Sequence, residues 1–82
     1  MFKLDEHYTA VDEERGAYLF RERGYAKWGA NWYYMNICEP GAVGPYTVRL
    51  TIRFRADSVA MALEIADAKL AKWLKLPIDS TI

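Results

Sequence analysis

Between Tyr46 and Arg55 the character of the chain changes at every step: Val48, Leu50, Ile52 and Phe54 alternate with Arg49, Thr51, Arg53 and Arg55. Successive side chains of a strand point to opposite faces, so a period of two with this contrast describes a strand with one buried and one wet face. Such a strand needs a neighbour on its edge and an apolar layer over its inner face, and the flanking sequence offers both.

The neighbour is the segment from about Asn31 to Glu39, joined to the alternating strand by Pro40-Gly41-Ala42-Val43-Gly44-Pro45, a turn-rich connector of hairpin type. In this pairing Tyr33, Met35 and Ile37 share the core face, and Trp32, Tyr34, Asn36 and Cys38 fall on the side of the arginines. The layer is a C-terminal helix. Asp57 or Ser58 serves as its N-cap and Pro77 ends it. Val59, Leu63, Ala66, Leu70, Trp73 and Leu74 recur at helical spacing. Glu64 and Asp67 come early and Lys69, Lys72 and Lys75 late, the order that the helix dipole favours. Ala60, Ala62 and Ala71 keep the helix slender. Met61, Ile65 and Ala68 add apolar surface beyond the main stripe, which is read as deep burial ahead of a self-association face.

The first third admits two readings. Gly16-Ala17-Tyr18-Leu19-Phe20 is a strand leading through Arg21-Glu22-Arg23-Gly24 into a turn near Tyr25–Gly29. The rival is a helix capped at Thr9, with Asp12 in the capping-box position and Gly24 at its end. Gly16 in mid-helix and a poor apolar moment favour the strand. The expected fold is therefore α+β: a small antiparallel sheet of three strands, four if Tyr8–Val11 adds one, with the helix packed on its inner face. At 82 residues the chain makes one domain, with 1–7 and 77–82 as irregular tails.

Composition limits the class of function. A single cysteine, Cys38, an N-terminus that turns acidic at Asp5 and Glu6, and no apolar run near the roughly 18 residues of a membrane span lead to the expectation of a soluble, cytoplasmic protein. The formal net charge is +0. Acidic side chains crowd the start (Asp5, Glu6, Asp12, Glu13, Glu14), whereas all six arginines lie between Arg15 and Arg55. Catalysis finds little support. His7 is the sole histidine, it stands in the acidic N-terminal segment, and Cys38 has no partner base in sequence. Two such residues cannot make a zinc site within one chain. Gly41-Ala42-Val43-Gly44 lacks the Lys-Ser/Thr of a phosphate loop and leads into a strand. No enzyme activity, metal or cofactor is expected.

What is left is the outer face of the sheet, where neighbouring guanidiniums of Arg49, Arg53 and Arg55 are roughly 7 to 14 Å apart along their strand, beside Trp32 and Tyr34. Arginines among rings have three physical readings. One is structural, with cross-strand stacking and ion pairs to Glu22 and Glu39. The second is a protein–protein hot spot, for which Trp, Tyr and Arg are enriched. The third is a single-stranded nucleic-acid platform, which the zero net charge disfavours. The favoured functional expectation is a small non-catalytic domain that docks on another protein through Trp32, Tyr34, Arg49, Arg53 and Arg55. Asp12, Glu13 and Glu14 form a second patch, suited to a basic surface on a nucleic-acid-binding complex. An inhibitor or adaptor of the kind phages and mobile elements turn against host defence is the expected type. It rests on size, a start at Met1 and the lack of catalytic parts. Single-stranded nucleic-acid binding and a structural homodimer through the helix are the alternatives.

Overall fold

The computed structural model describes residues 1–22, 32–40, 44 and 47–75. The expected turn near Tyr25–Gly29, most of the Pro40–Pro45 connector and the tail from Pro77 lie outside the described residues. Five strands, β1 (Lys3–Leu4), β2 (Ala10–Asp12), β3 (Ala17–Arg21), β4 (Trp32–Ile37) and β5 (Leu50–Arg55), precede one helix, α1 (Val59–Lys75). The strands lie in one sheet in chain order, each antiparallel to the next. The α+β expectation holds, and the count of three or four strands is corrected to five. Residues 17–20 of the expected Gly16–Phe20 strand lie in β3, as preferred over the Thr9–Gly24 helix, and Gly16 lies in the turn before it. The short β2 falls where a fourth strand was expected, and β1 was not foreseen.

Register explains which side chains are buried. Ala17, Leu19 and Arg21 of β3 stand opposite Ile37, Met35 and Tyr33 of β4, which in turn stand opposite Leu50, Ile52 and Phe54 of β5. Odd positions of β3 and β4 and even positions of β5 thus share the face under α1. Leu19, Tyr33, Met35 and Ile37 are fully buried there, and the Tyr33 and Phe54 rings stack at 6.0 Å. Ala62, Ala66 and Leu70 of the helix close the core, with Leu63, Ile65 and Trp73 packed at its margin. The small alanines let the helix axis approach the sheet. Two expectations shift as a result: Ala62 belongs to the buried stripe, and Leu74 is 45% exposed. Of the added apolar residues, Ile65 packs on the core, while Met61 and Ala68 are exposed.

The alternating strand is shorter than its sequence pattern. The Arg49 N–H donates to the Ile37 carbonyl at 2.8 Å, one residue out of the register that pairs Ile37 with Leu50. This break in the ladder ends β5 at Leu50 and leaves Val48 exposed instead of in the core.

Ser58, not Asp57, caps α1. Its hydroxyl accepts the Met61 N–H at 3.1 Å and its carbonyl accepts the Ala62 N–H at 2.9 Å. Ser58→Ala is expected to cost about 1 kcal/mol, a typical N-cap loss. For a domain of this size that lowers Tm by roughly 4–8 °C in a thermal melt. An unchanged melting curve would mean that the cap contributes nothing to folding.

Candidate functional site

On the face away from α1 the register sets Trp32 opposite Arg55, Tyr34 opposite Arg53 and Asn36 opposite Thr51. The Arg55 guanidinium lies 4.7 Å from the Trp32 ring centroid, a cation–π stack. Thr51 Oγ1 donates to Asn36 Oδ1 at 2.8 Å. On the other side of β4, Phe20 stands opposite Tyr34, and the two rings stack at 4.7 Å with 8° between their planes. Tyr8 packs edge-on against both Phe20 and Tyr18, with centroids 5.2 and 5.4 Å apart. Tyr18 is itself buried, and its hydroxyl accepts the Gly44 N–H at 2.9 Å. The face therefore grades from a covered aromatic end at Tyr18 to an accessible end at Trp32, Arg53 and Arg55.

The arginines differ in how they are held. Arg53 donates through Nε (2.7 Å) and Nη2 (2.5 Å) to Glu22 Oε1, a carboxylate only 13% exposed. Arg49 lies just before β5 and faces Glu39 at 3.8 Å, with both side chains more than half exposed. These are the Glu22 and Glu39 pairings that the structural reading anticipates. Arg55 is exposed and, among the described residues, pairs with no carboxylate. Of the five expected face residues, the sheet brings Trp32, Tyr34, Arg53 and Arg55 together and leaves Arg49 at the margin. Phe20, Tyr8 and Tyr18 were missed as members. The strand reading of Gly16–Phe20 carries the signal, since Leu19 inward puts Tyr18 and Phe20 outward.

The second expected patch is corrected at one residue. Glu13 and Glu14 are exposed in the β2–β3 turn, but Asp12 is 1% exposed and points beneath α1. Its Oδ2 receives the Met1 amino group (2.7 Å) and Arg15 Nε (2.6 Å), and its Oδ1 receives the Arg15 N–H (3.1 Å). Arg15 extends through Nη2 to Asp67 on α1. Burial alone would raise the Asp12 carboxyl, but hydrogen bonds from the amino group and Arg15, with the Arg15 charge, hold it below the usual carboxylate range. Asp12 is thus a structural anchor, out of reach of a docking partner.

The two residues weighed for catalysis lie in contrasting places. His7 is exposed, its N–H donating to Asp5 Oδ2 at 2.8 Å. Cys38 sits past the end of β4 and is buried, which pushes its thiol up from the ordinary value. Among the described residues, no three His, Cys, Asp or Glu side chains gather as metal ligands, and no helix is long and apolar enough to cross a membrane.

Set against known proteins, the chain matches no family model, no curated protein and no solved structure.

Proposed function

We propose that this chain is a non-catalytic protein-binding domain, an inhibitor or adaptor, that docks another protein on the accessible end of its outer sheet face. The observation that carries the reading is the Arg55–Trp32 stack: an exposed guanidinium with no carboxylate among the described residues, preoriented by a ring. A stacked arginine has lost part of its rotamer freedom in advance, so less is lost when it pairs with a partner carboxylate or carbonyl. Tyr34, on the adjacent outward position of β4, extends the same surface.

The geometry lends less support to single-stranded nucleic acid. Phe20 and Tyr34 occupy one another's faces, Arg55 covers a face of Trp32, and Arg53 is held by Glu22. Bases need open ring faces and phosphates need free cations.

The test begins with mixed-sequence single-stranded DNA and RNA, titrated at about 50 and 200 mM salt while tryptophan fluorescence is followed. A flat response is expected. Affinity capture from lysate with the wild type, Trp32→Ala and Arg55→Glu follows, and each substitution is expected to weaken partner binding by roughly thirtyfold, the loss typical of a hot-spot residue. Arg55→Glu should leave Tm within a few degrees because Arg55 is exposed. Steeply salt-dependent nucleic-acid binding, or capture indifferent to both substitutions, would overturn the reading.

A further inference from the structure

The sheet ends at β5, and among the described residues nothing pairs with its outer edge. Which backbone groups that edge presents follows from hydrogen bonds elsewhere in the ladder. Glu22 N–H donates to the Trp32 carbonyl and Cys38 N–H donates to the Gly16 carbonyl. Even positions around β4 therefore turn their N–H and C=O towards β3, and Tyr33, Met35 and Ile37 turn theirs towards β5. By the alternation of an antiparallel ladder, Leu50, Ile52 and Phe54 answer them, and Thr51, Arg53 and Arg55 direct N–H and C=O outwards. These groups are a row of donors and acceptors at strand spacing.

The edge is flanked by chemistry on both faces. On the helix side a pocket of ≈ 200 Å³ lies between β5 and α1, lined by Ile52, Trp73, Lys69 and Lys72. On the outer side stand Arg53 and Arg55. Of these four cations, only Arg53 pairs with a carboxylate among the described residues. The acidic side chains of α1 lie elsewhere: Glu64 and Asp67 line the opposite flank with Phe2 and Arg15. Charge among the described side chains of the helix is therefore sorted, with Lys69 and Lys72 over the β5 edge and Glu64 and Asp67 over the N-terminal strands.

We infer that the β5 edge accepts an extended acidic peptide segment as a sixth strand, with an outward carboxylate on Arg55 and an apolar side chain between Ile52 and Trp73. Backbone pairing supplies affinity in this mode, and alternate side chains supply specificity. The alternation fits: a strand added here presents every second residue to the arginine side and the others to the pocket and its lysines. A second copy of this chain is a poor occupant. Antiparallel pairing of β5 with itself would bring Arg53 and Arg55 against their own kind. The edge adjoins the Trp32–Tyr34 face and shares Arg55 with it, and protection of the outward β5 amides tells binding at the edge from binding on the face alone.

The experiment uses a capped peptide of about eight residues, one strand's length, alternating glutamate and valine. Its controls are the lysine–valine counterpart and a glutamate–valine peptide N-methylated at alternate residues. Amide hydrogen exchange is read by NMR on the full chain. The acidic peptide is expected to bind and to slow exchange at Thr51, Arg53 and Arg55. N-methylation should weaken it roughly tenfold or more by removing strand hydrogen bonds. The Arg55→Glu variant, altered at an exposed position on the side that meets the carboxylates, should weaken it by about tenfold. Three results would each overturn the inference. One is no binding at about 1 mM peptide, which would make the cations guards against edge pairing. Another is equal binding of the lysine or N-methylated peptide. The last is binding that shifts Trp32 and Tyr34 without protecting the three amides.

Discussion

Gly16→Ala is expected to destabilise the domain by roughly 3 kcal/mol or more, among the largest effects of a single methyl group. Gly16 closes the β2–β3 connection, between the paired residues Asp12 and Ala17. Its φ of 71° is left-handed, which for an L side chain costs about 1–2 kcal/mol. Crowding adds to this. A Cβ at position 16 would stand 2.4 Å from the Glu39 carbonyl oxygen and 2.8 Å from that of Cys38. Both are backbone atoms of the segment leaving β4, held in place because the Cys38 N–H donates to the Gly16 carbonyl at 2.6 Å. Relief therefore requires the turn or the strand end to move. Thermal and denaturant melts should show a Tm lower by roughly 10–20 °C. Gly16→Asn separates the two causes. Asparagine tolerates a left-handed φ, so it should rescue a purely torsional defect, but it carries the same Cβ and is expected to be nearly as harmful. A loss below about 1 kcal/mol for alanine would show that the neighbouring backbone yields freely.

The same small region shows how far sequence reasoning reaches. The alternation in Leu50–Arg55 and the stripe along Val59–Lys75 were legible because each contrasts apolar and polar residues at its own period over several repeats. Gly16 was legible as a break in any helix through Thr9–Gly24, but not as a turn, since it reads there as the first residue of the strand. Lys3–Leu4 was not legible: two exposed residues have no period, and β1 exists only because β2 offers it an edge. Asp12 misled in a different way. In Asp12-Glu13-Glu14 three like residues suggest one solvated patch, yet Asp12 pairs with Ala17 across the turn and its side chain passes beneath α1. Its companion Arg15 is fixed by Asp67, 52 residues away, a contact that no local pattern announces. The candidate face stands between these cases. Parity alone puts Trp32 and Tyr34 with Arg53 and Arg55, but which ring meets which guanidinium depends on the connector before β5. The offset at Arg49 took Arg49 out of the strand.

Asp12→Asn is the second substitution expected to have a large effect, about 2–3 kcal/mol at pH 7, because it removes a buried charge on which Arg15 and the Met1 amino group converge. Asparagine keeps the shape but presents an amide N–H₂ or a neutral oxygen to donors, so at least one interaction is lost outright. The pH dependence should identify the charge as the cause. The native Asp12 carboxyl titrates below its ordinary value, whereas in the unfolded chain it titrates near 3.9. As pH falls through that value the unfolded state takes up a proton that the native state still excludes, which favours unfolding. The contribution is complete above the unfolded pKa and is lost as pH drops towards the native one. Wild type should therefore lose stability steeply below about pH 4, and Asp12→Asn should be weaker at pH 7 with a shallower acid limb. Denaturant melts at pH 7, 5, 4 and 3 test this directly. Parallel curves for the two proteins would mean that Asp12 acts through shape alone, and that the tie from the β2–β3 turn to α1 is held by Arg15 and Asp67 without it.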